Sequence, residues 1–186
     1  MTAIEVHPAT PARWPDLVEL FERRGSRGGH RNTPAYGCWC MYWRDRSLPH
    51  GAPKKRAMEA IIRGGGEPGM LAYESEVPIG WIAIAAREEY GALLRSPQYR
   101  PRDDDERIWS IVCFTVDRPA RRRAIAHELL EAAVQHACGR GAAAVEGYAH
   151  VTDLTDYMGS QALFLAHGFR TVRETSKRAV MRRACS

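Results

Sequence analysis

Residues 111–135 read IVCFTVDRPARRRAIAHELLEAAVQ, an apolar run, a basic turn and an amphipathic run in one unbroken stretch. Ile125, Leu129, Leu130, Ala133, Val134 and Ala137 recur at the three- and four-residue spacing of one buried helix face, with His127, Glu128, Glu131 and Gln135 largely opposite. Gly139, Arg140 and Gly141 supply the stop. Upstream, residues 108–116 are rich in β-branched and aromatic side chains and end at Asp117, Arg118 and Pro119, as a strand entering a turn does. Arg121, Arg122 and Arg123 therefore stand just ahead of the first helical turn, where unpaired backbone N–H groups and the positive end of the helix dipole favour an anion. The stretch is predicted to be strand, basic turn and helix, with the turn cradling a pyrophosphate. A solvated turn is the alternative for the three arginines.

Outward from this unit, residues 143–150 read as a further strand, with Ala144, Glu146, Tyr148 and His150 on one side and Val145, Gly147 and Ala149 on the other. Residues 160–169, SQALFLAHGF, read as a last helix and a Gly-Phe turn, followed by strands over 170–175 and 178–183. Toward the start, 70–74 and 78–86 form a hairpin, 54–63 a helix closed by Gly64, Gly65 and Gly66, and 4–7 a first strand. Residues 11–23 make an opening helix with Leu17, Val18, Leu20 and Phe21 inward and Thr10 as its N-cap before Pro11. Residues 24–53 carry Gly, Arg, Pro and aromatics without a sustained period, which predicts a long loop with a short helix near 40–46. The glycine run RGGGEPG at 63–69 follows a helix and precedes a strand, the reverse of the order in a phosphate loop. Interleaved strands and helices place the chain in the α/β or α+β class with a mixed central sheet.

Length and composition fit one domain over residues 1–186. At 45% hydrophobic residues the chain can bury a core, since a domain of roughly 150 residues buries about two-thirds of its unfolded surface. No apolar run approaches the roughly 20 residues that span a bilayer, and the opening MTAIEVHPATPARW has no basic segment leading into an apolar run, so a cytoplasmic protein is expected. The net charge is +5 and, of 27 basic residues, only Lys54, Lys55 and Lys177 are lysines. The arginines are scattered, and 103–106 is acidic, so the continuous basic stripe of a nucleic-acid binder is missing. Five cysteines without repeating spacing argue against a disulfide framework and predict free thiols. Cys38 and Cys40 lack the second ligand pair of a zinc site, and no metal is expected.

The basic turn resembles motif A of the GNAT superfamily, the Gcn5-related acyl-CoA-dependent N-acyltransferases, whose pattern is R/Q-x-x-G-x-G/A. It is matched here by Arg121, Arg122, Arg123, Ala124, Ile125 and Ala126, with Ala124 in place of the first Gly and the Pro-to-Arg spacing one residue short. Residues 160–169 are similar to the family's last helix and Gly-Phe turn, and residues 78–87, PIGWIAIAAR, to its central strand. CWCMYWR and the VMRR ending are similar to one subgroup of small bacterial members. The resemblance implies a mostly antiparallel sheet of six or seven strands splayed between its fourth and fifth, with the pantetheine arm of acetyl-CoA in the gap. It assigns Cys113, Phe114, Thr115 and Val116 to the arm and the motif A residues to the pyrophosphate.

A protonated alkyl amine has a pKa near 10, so an N-acetyltransferase needs a base or a water chain to one. Glu146 is the candidate base with Tyr148 or His150 as relay, against the alternative that all are partly exposed strand residues. Phe164 occupies the position of the family's proton-donating Tyr, so Tyr157 is the candidate acid, against the alternative that the thiolate leaves without direct protonation, and Phe164 is expected to pack against the arm. Trp39, Met41, Tyr42, Trp43, Arg44, Arg87, Tyr90 and Asp105 are the candidates for an acceptor pocket, against the alternative that the aromatics anchor an irregular segment. The expected activity is transfer of an acetyl group to a primary amine of a small molecule or peptide. The alternative is a non-catalytic acyl-CoA-binding or ligand-binding module. A homodimer is the commonest arrangement for symmetric soluble proteins.

Overall fold

The computed structural model describes residues 3–23, 37–101, 107–151 and 157–185. Seven strands form one sheet: β1 (Ile4–Pro8), β2 (Gly69–Glu74), β3 (Val77–Ala86), β4 (Ile108–Val116), β5 (Ala144–His150), β6 (Arg170–Glu174) and β7 (Arg178–Ala184), in the order β1-β2-β3-β4-β5-β7-β6. Every neighbouring pair is antiparallel except β4 with β5. Among the described residues five α-helices accompany them: α1 (Trp14–Glu22), α2 (Ala52–Arg63), α3 (Gly91–Leu94), α4 (Ile125–Gly139) and α5 (Gln161–Ala166).

The two sheet faces carry separate cores. One gathers Leu17, Leu20 and Phe21 of α1, Met58 and Ile62 of α2, and Trp81 and Tyr148 of the sheet. The other gathers Leu129, Leu130, Ala133 and Val134 of α4, Phe164 of α5, and Ile82, Ile111 and Val145. Gly80 lets α4 lie close, because a Cβ there would meet Ile125 Cγ2 at 3.0 Å and Leu129 Cδ1 at 3.1 Å.

The splay that defines the site begins at a bulge. Ala83 faces Cys113 and Ile84 faces Ile111, so Val112 is an extra residue in β4. A bulge bends its strand and ends regular pairing. Accordingly β4 pairs with β5 only over Ile108–Ile111, and the two strands part beyond Gly147. Residues 157–159 bridge the opening: Phe114 N donates to Tyr157 O at 2.5 Å and His150 N to Gly159 O at 3.4 Å.

Three expectations are corrected. Residues 37–44 form turns, with Trp39 and Cys40 at positive φ, in place of the short helix near 40–46. Thr10 precedes a 3-10 turn, but its hydroxyl makes no capping bond. Cys138 and Cys185 are joined in a disulfide with Cα atoms 5.4 Å apart, and only Cys38, Cys40 and Cys113 are free. Register explains the pairing. Ala184 lies opposite Ala144, and Cys185 N donates to Ala143 O at 2.9 Å, which brings the strand end beside the last turn of α4. No helix among the described residues is long and apolar enough to cross a membrane.

Candidate active site

The basic turn folds as a cradle. Asp117 accepts from Arg118 N at 2.8 Å and from Arg23 Nη1 at 2.5 Å, fixing the exit of β4 against α1. Arg122 and Ala124 then adopt left-handed backbone at φ 63° and 61°, and α4 starts at Ile125. His127 N and Glu128 N donate to Ala124 O at 2.9 and 3.2 Å, and the N–H groups of Ile125 and Ala126 ahead of them have no backbone acceptor among the described residues. A cavity of about 390 Å³ opens before them, lined by Val116, Arg121, Arg122, Ala124, Ile125, Ala126 and His127. Arg121 leans back so that its Nε donates to Val116 O at 3.1 Å. Arg123 turns away and pairs with Glu74, so two of the three arginines face the cavity. The cradle suits a diphosphate: unsatisfied donors, a helix dipole and two guanidiniums converge on one cavity.

His127 lies on the exposed face of α4. Its Nδ1 meets His167 Nε2 at 3.0 Å, and His167 Nδ1 meets Glu131 Oε2 at 3.2 Å. Arg183 donates to Glu131 at 2.8 Å, and this hydrogen bond is the main reason the Glu131 carboxyl is held down at about 2.

A second cavity, of about 590 Å³, lies on the opposite face of the sheet against Val112 and Cys113. Tyr42, Trp43, Tyr99 and Tyr157 wall it, with Cys38, Cys40 and Met158 deeper and Arg46 and Arg178 among its lining. Tyr42 and Trp43 meet edge to face at 4.9 Å, and Trp43 and Tyr99 at 5.4 Å. Burial pushes the Cys38 thiol up, and a hydrogen bond with Cys113 together with burial pushes Cys40 well up, so both stay protonated at neutral pH.

The candidate catalytic residues divide. Tyr157, 47% exposed, lines the large cavity. Tyr148 has no exposure and lies one layer deeper, edge to face with Tyr99 at 5.2 Å. Its hydroxyl donates to Glu146 Oε2 at 2.9 Å and lies 2.8 Å from Ser110 Oγ, and burial raises its pKa well above the ordinary phenol value. Glu146 is 4% exposed and borders a small neighbouring cavity. Arg182 donates to its Oε1 at 2.6 Å through Nη2 and 3.1 Å through Nε, and Arg87 Nη1 sits 3.5 Å from Oε2. A carboxylate already accepting three hydrogen bonds beneath the pocket wall offers a substrate proton little. His150 continues the same strand at its open end.

Of the acceptor-pocket candidates, Tyr42 and Trp43 line the large cavity. Trp39 is a core residue against Trp14 and Phe21, Arg87 is buried beside Glu146, and Asp105 lies outside the described residues. Of the arm candidates, Cys113 lines the cavity, Thr115 and Phe114 are buried, and Phe114 N is the donor to Tyr157 O. Phe164 has no exposure; it packs on Phe114 and Phe169, and a Cβ on Gly147 would drive into its ring. It therefore presents no surface to a ligand in this arrangement. Sequence reasoning missed Tyr99, Arg46 and Arg178, which sit in irregular segments or at a strand end where no spacing marks them. No group of three or more His, Cys, Asp or Glu side chains among the described residues could hold a metal.

Residues 35–169 match the Acetyltransferase (GNAT) family. No curated protein matches the chain. The fold is shared with a GCN5-related N-acetyltransferase from Kribbella flavida, at TM-score 0.60 and 18% identity over 98% of both chains. It is shared equally with an N-acetyltransferase from Staphylococcus aureus Mu50, at TM-score 0.59 and 15% identity over the whole of both chains. A third similar structure, PaiA N-acetyltransferase from Thermoplasma acidophilum in complex with coenzyme A, has TM-score 0.55 and 11% identity over 98% of this chain and 99% of that one. With the family matched over most of its length and its strand, cradle and splay in place, this chain belongs to the GNAT acetyltransferase family.

Proposed function

We propose that the protein is an acyl-CoA-dependent N-acetyltransferase that uses acetyl-CoA to acetylate a primary amine of a small molecule or peptide. One observation carries this reading. Val116 lines the anion cradle and Cys113 lines the large cavity, three residues apart on the same strand, a separation of about 10 Å. The two cavities lie on opposite faces of the sheet and the gap between β4 and β5 separates them, so a cofactor and an acceptor approaching from opposite sides meet beside Cys113.

Arg121, Arg122 and the first-turn N–H groups would hold the diphosphate, and the β4 backbone from Cys113 to Val116 the arm, with Phe114 N exchanging its bond to Tyr157 O for one to the arm. Acetyl-CoA supplies the electrophilic thioester and the departing thiolate. Tyr157, the catalytic candidate that lines the large cavity, protonates that thiolate. Glu146, together with Tyr148 and Arg182, is a positioning residue that fixes Tyr99 and the pocket wall from below.

Thiol release with acetyl-CoA across an amine panel tests this. Tyr157→Phe is expected to lower kcat by about 10²-fold. Glu146→Gln should lower stability while leaving the shape of the pH–rate profile unchanged. A lost ascending limb in Glu146→Gln would restore Glu146 as the base. The second reading, an acyl-CoA-binding module, is favoured by Phe164 at the position of the family's acid and by the engaged state of Glu146. Coenzyme A binding without thiol release from any amine would establish it.

A further inference from the structure

The acceptor's chemical class is legible in the walls of the large cavity. Resting on the acetyltransferase reading above, we infer that the acceptor is a compact amine that also carries a carboxylate and a flat apolar or aromatic ring, the carboxylate being held by Arg46.

Size comes first. About 590 Å³ suits a small molecule. Shape follows from the edge-to-face succession Tyr42, Trp43 and Tyr99, which offers flat apolar walls of the kind that take a ring. Charge decides the remainder. The guanidinium carbon of Arg46 lies 4.5 Å from the Tyr42 ring centroid and 4.6 Å from that of Trp43, which holds the cation against the aromatic wall with N–H donors to offer a carboxylate. No carboxylate among the described residues lies within ion-pair distance of Arg46, and no Asp or Glu is among the described residues that line the cavity. The thiols of Cys38 and Cys40 are neutral, so the floor adds no negative charge.

Two consequences distinguish this pocket from one built for a polycation. A diamine or polyamine would bring like charge against the Arg46 guanidinium, which has no carboxylate within ion-pair distance among the described residues. An amine whose carboxylate satisfies Arg46 avoids that repulsion. The positive lining also disfavours the ammonium form of the bound acceptor. It thereby favours release of the ammonium proton to solvent, which reaches the cavity past the exposed Tyr42 and Tyr157, since Glu146 is occupied beneath the wall.

The test is calorimetric titration of the coenzyme A complex with three probes: phenylalanine, phenethylamine (the same skeleton without the carboxylate) and spermidine. Phenylalanine is expected to bind at least tenfold more tightly than phenethylamine, with spermidine weakest, and Arg46→Gln should reduce the phenylalanine-to-phenethylamine ratio to about one. Arg46→Lys, which keeps the charge and loses the fork, should give an intermediate ratio. Phenethylamine or spermidine binding as tightly as phenylalanine, absence of phenylalanine binding, or a ratio indifferent to Arg46→Gln would each overturn the inference. Thiol release measured in parallel separates the two levels: the expected binding order without acetyl transfer leaves the pocket assignment standing and defeats the enzymatic reading.

Discussion

Ala124 occupies a left-handed conformation, φ 61°, at the residue that caps α4 and lines the anion cradle. An L-residue with a Cβ is disfavoured there by roughly 1–2 kcal/mol, part of which a glycine would return as extra freedom of the unfolded chain. Ala124→Gly is therefore expected to stabilise the fold by about 0.5–1 kcal/mol and to tighten coenzyme A binding by allowing closer approach of the backbone. Chemical denaturation and calorimetry check both, and a destabilised variant would show that the Ala124 methyl has a packing role that outweighs its strain. The position was legible in the sequence as a departure from the motif A glycine. Its φ was not, because the turn's geometry depends on Asp117 being tied to Arg23, 94 residues away in the chain.

At the scale of elements, α4 is tied to β7 twice on one side of the sheet, through Cys138–Cys185 and through Glu131 with Arg183. The Glu131 carboxyl, near 4.3 in an unfolded chain and about 2 when bonded to Arg183, has a depressed folded value. Its contribution is fully present above about pH 4.5 and is lost as pH falls toward 2. Thermal melts should show Glu131→Gln less stable than the parent at pH 6, with the difference shrinking below pH 4; a difference that persists undiminished at pH 2.5 would contradict the ion pair. Strands and helices were legible because their periods are local: Ile125 to Ala137 on α4 and Leu17, Leu20 and Phe21 on α1 are buried as their spacing demands. The depth of Glu146 was not legible, because alternation along β5 gives its face but not the Tyr99 wall above it. The disulfide escaped for the same reason, since only the β5–β7 register brings Cys185 to Cys138.

Across the whole molecule, the disulfide closes a loop with a sequence separation of 47 and links the chain's end to the helix that builds the cradle. Its reduction, or Cys185→Ser, is expected to cost roughly 2–4 kcal/mol and to lower Tm on the order of 10 °C; an unchanged Tm under reductant would show that the link carries no stability. The sheet, bulged at Val112 and open beyond Gly147, sets the cradle on one face and the aromatic cavity on the other, and the functional account follows from that arrangement. Titration calorimetry of the folded protein with acetyl-CoA tests it most directly. The account predicts one site of micromolar affinity, weakened at least tenfold by Arg122→Glu; absence of heat with folded protein, or an affinity indifferent to that charge reversal, would contradict it.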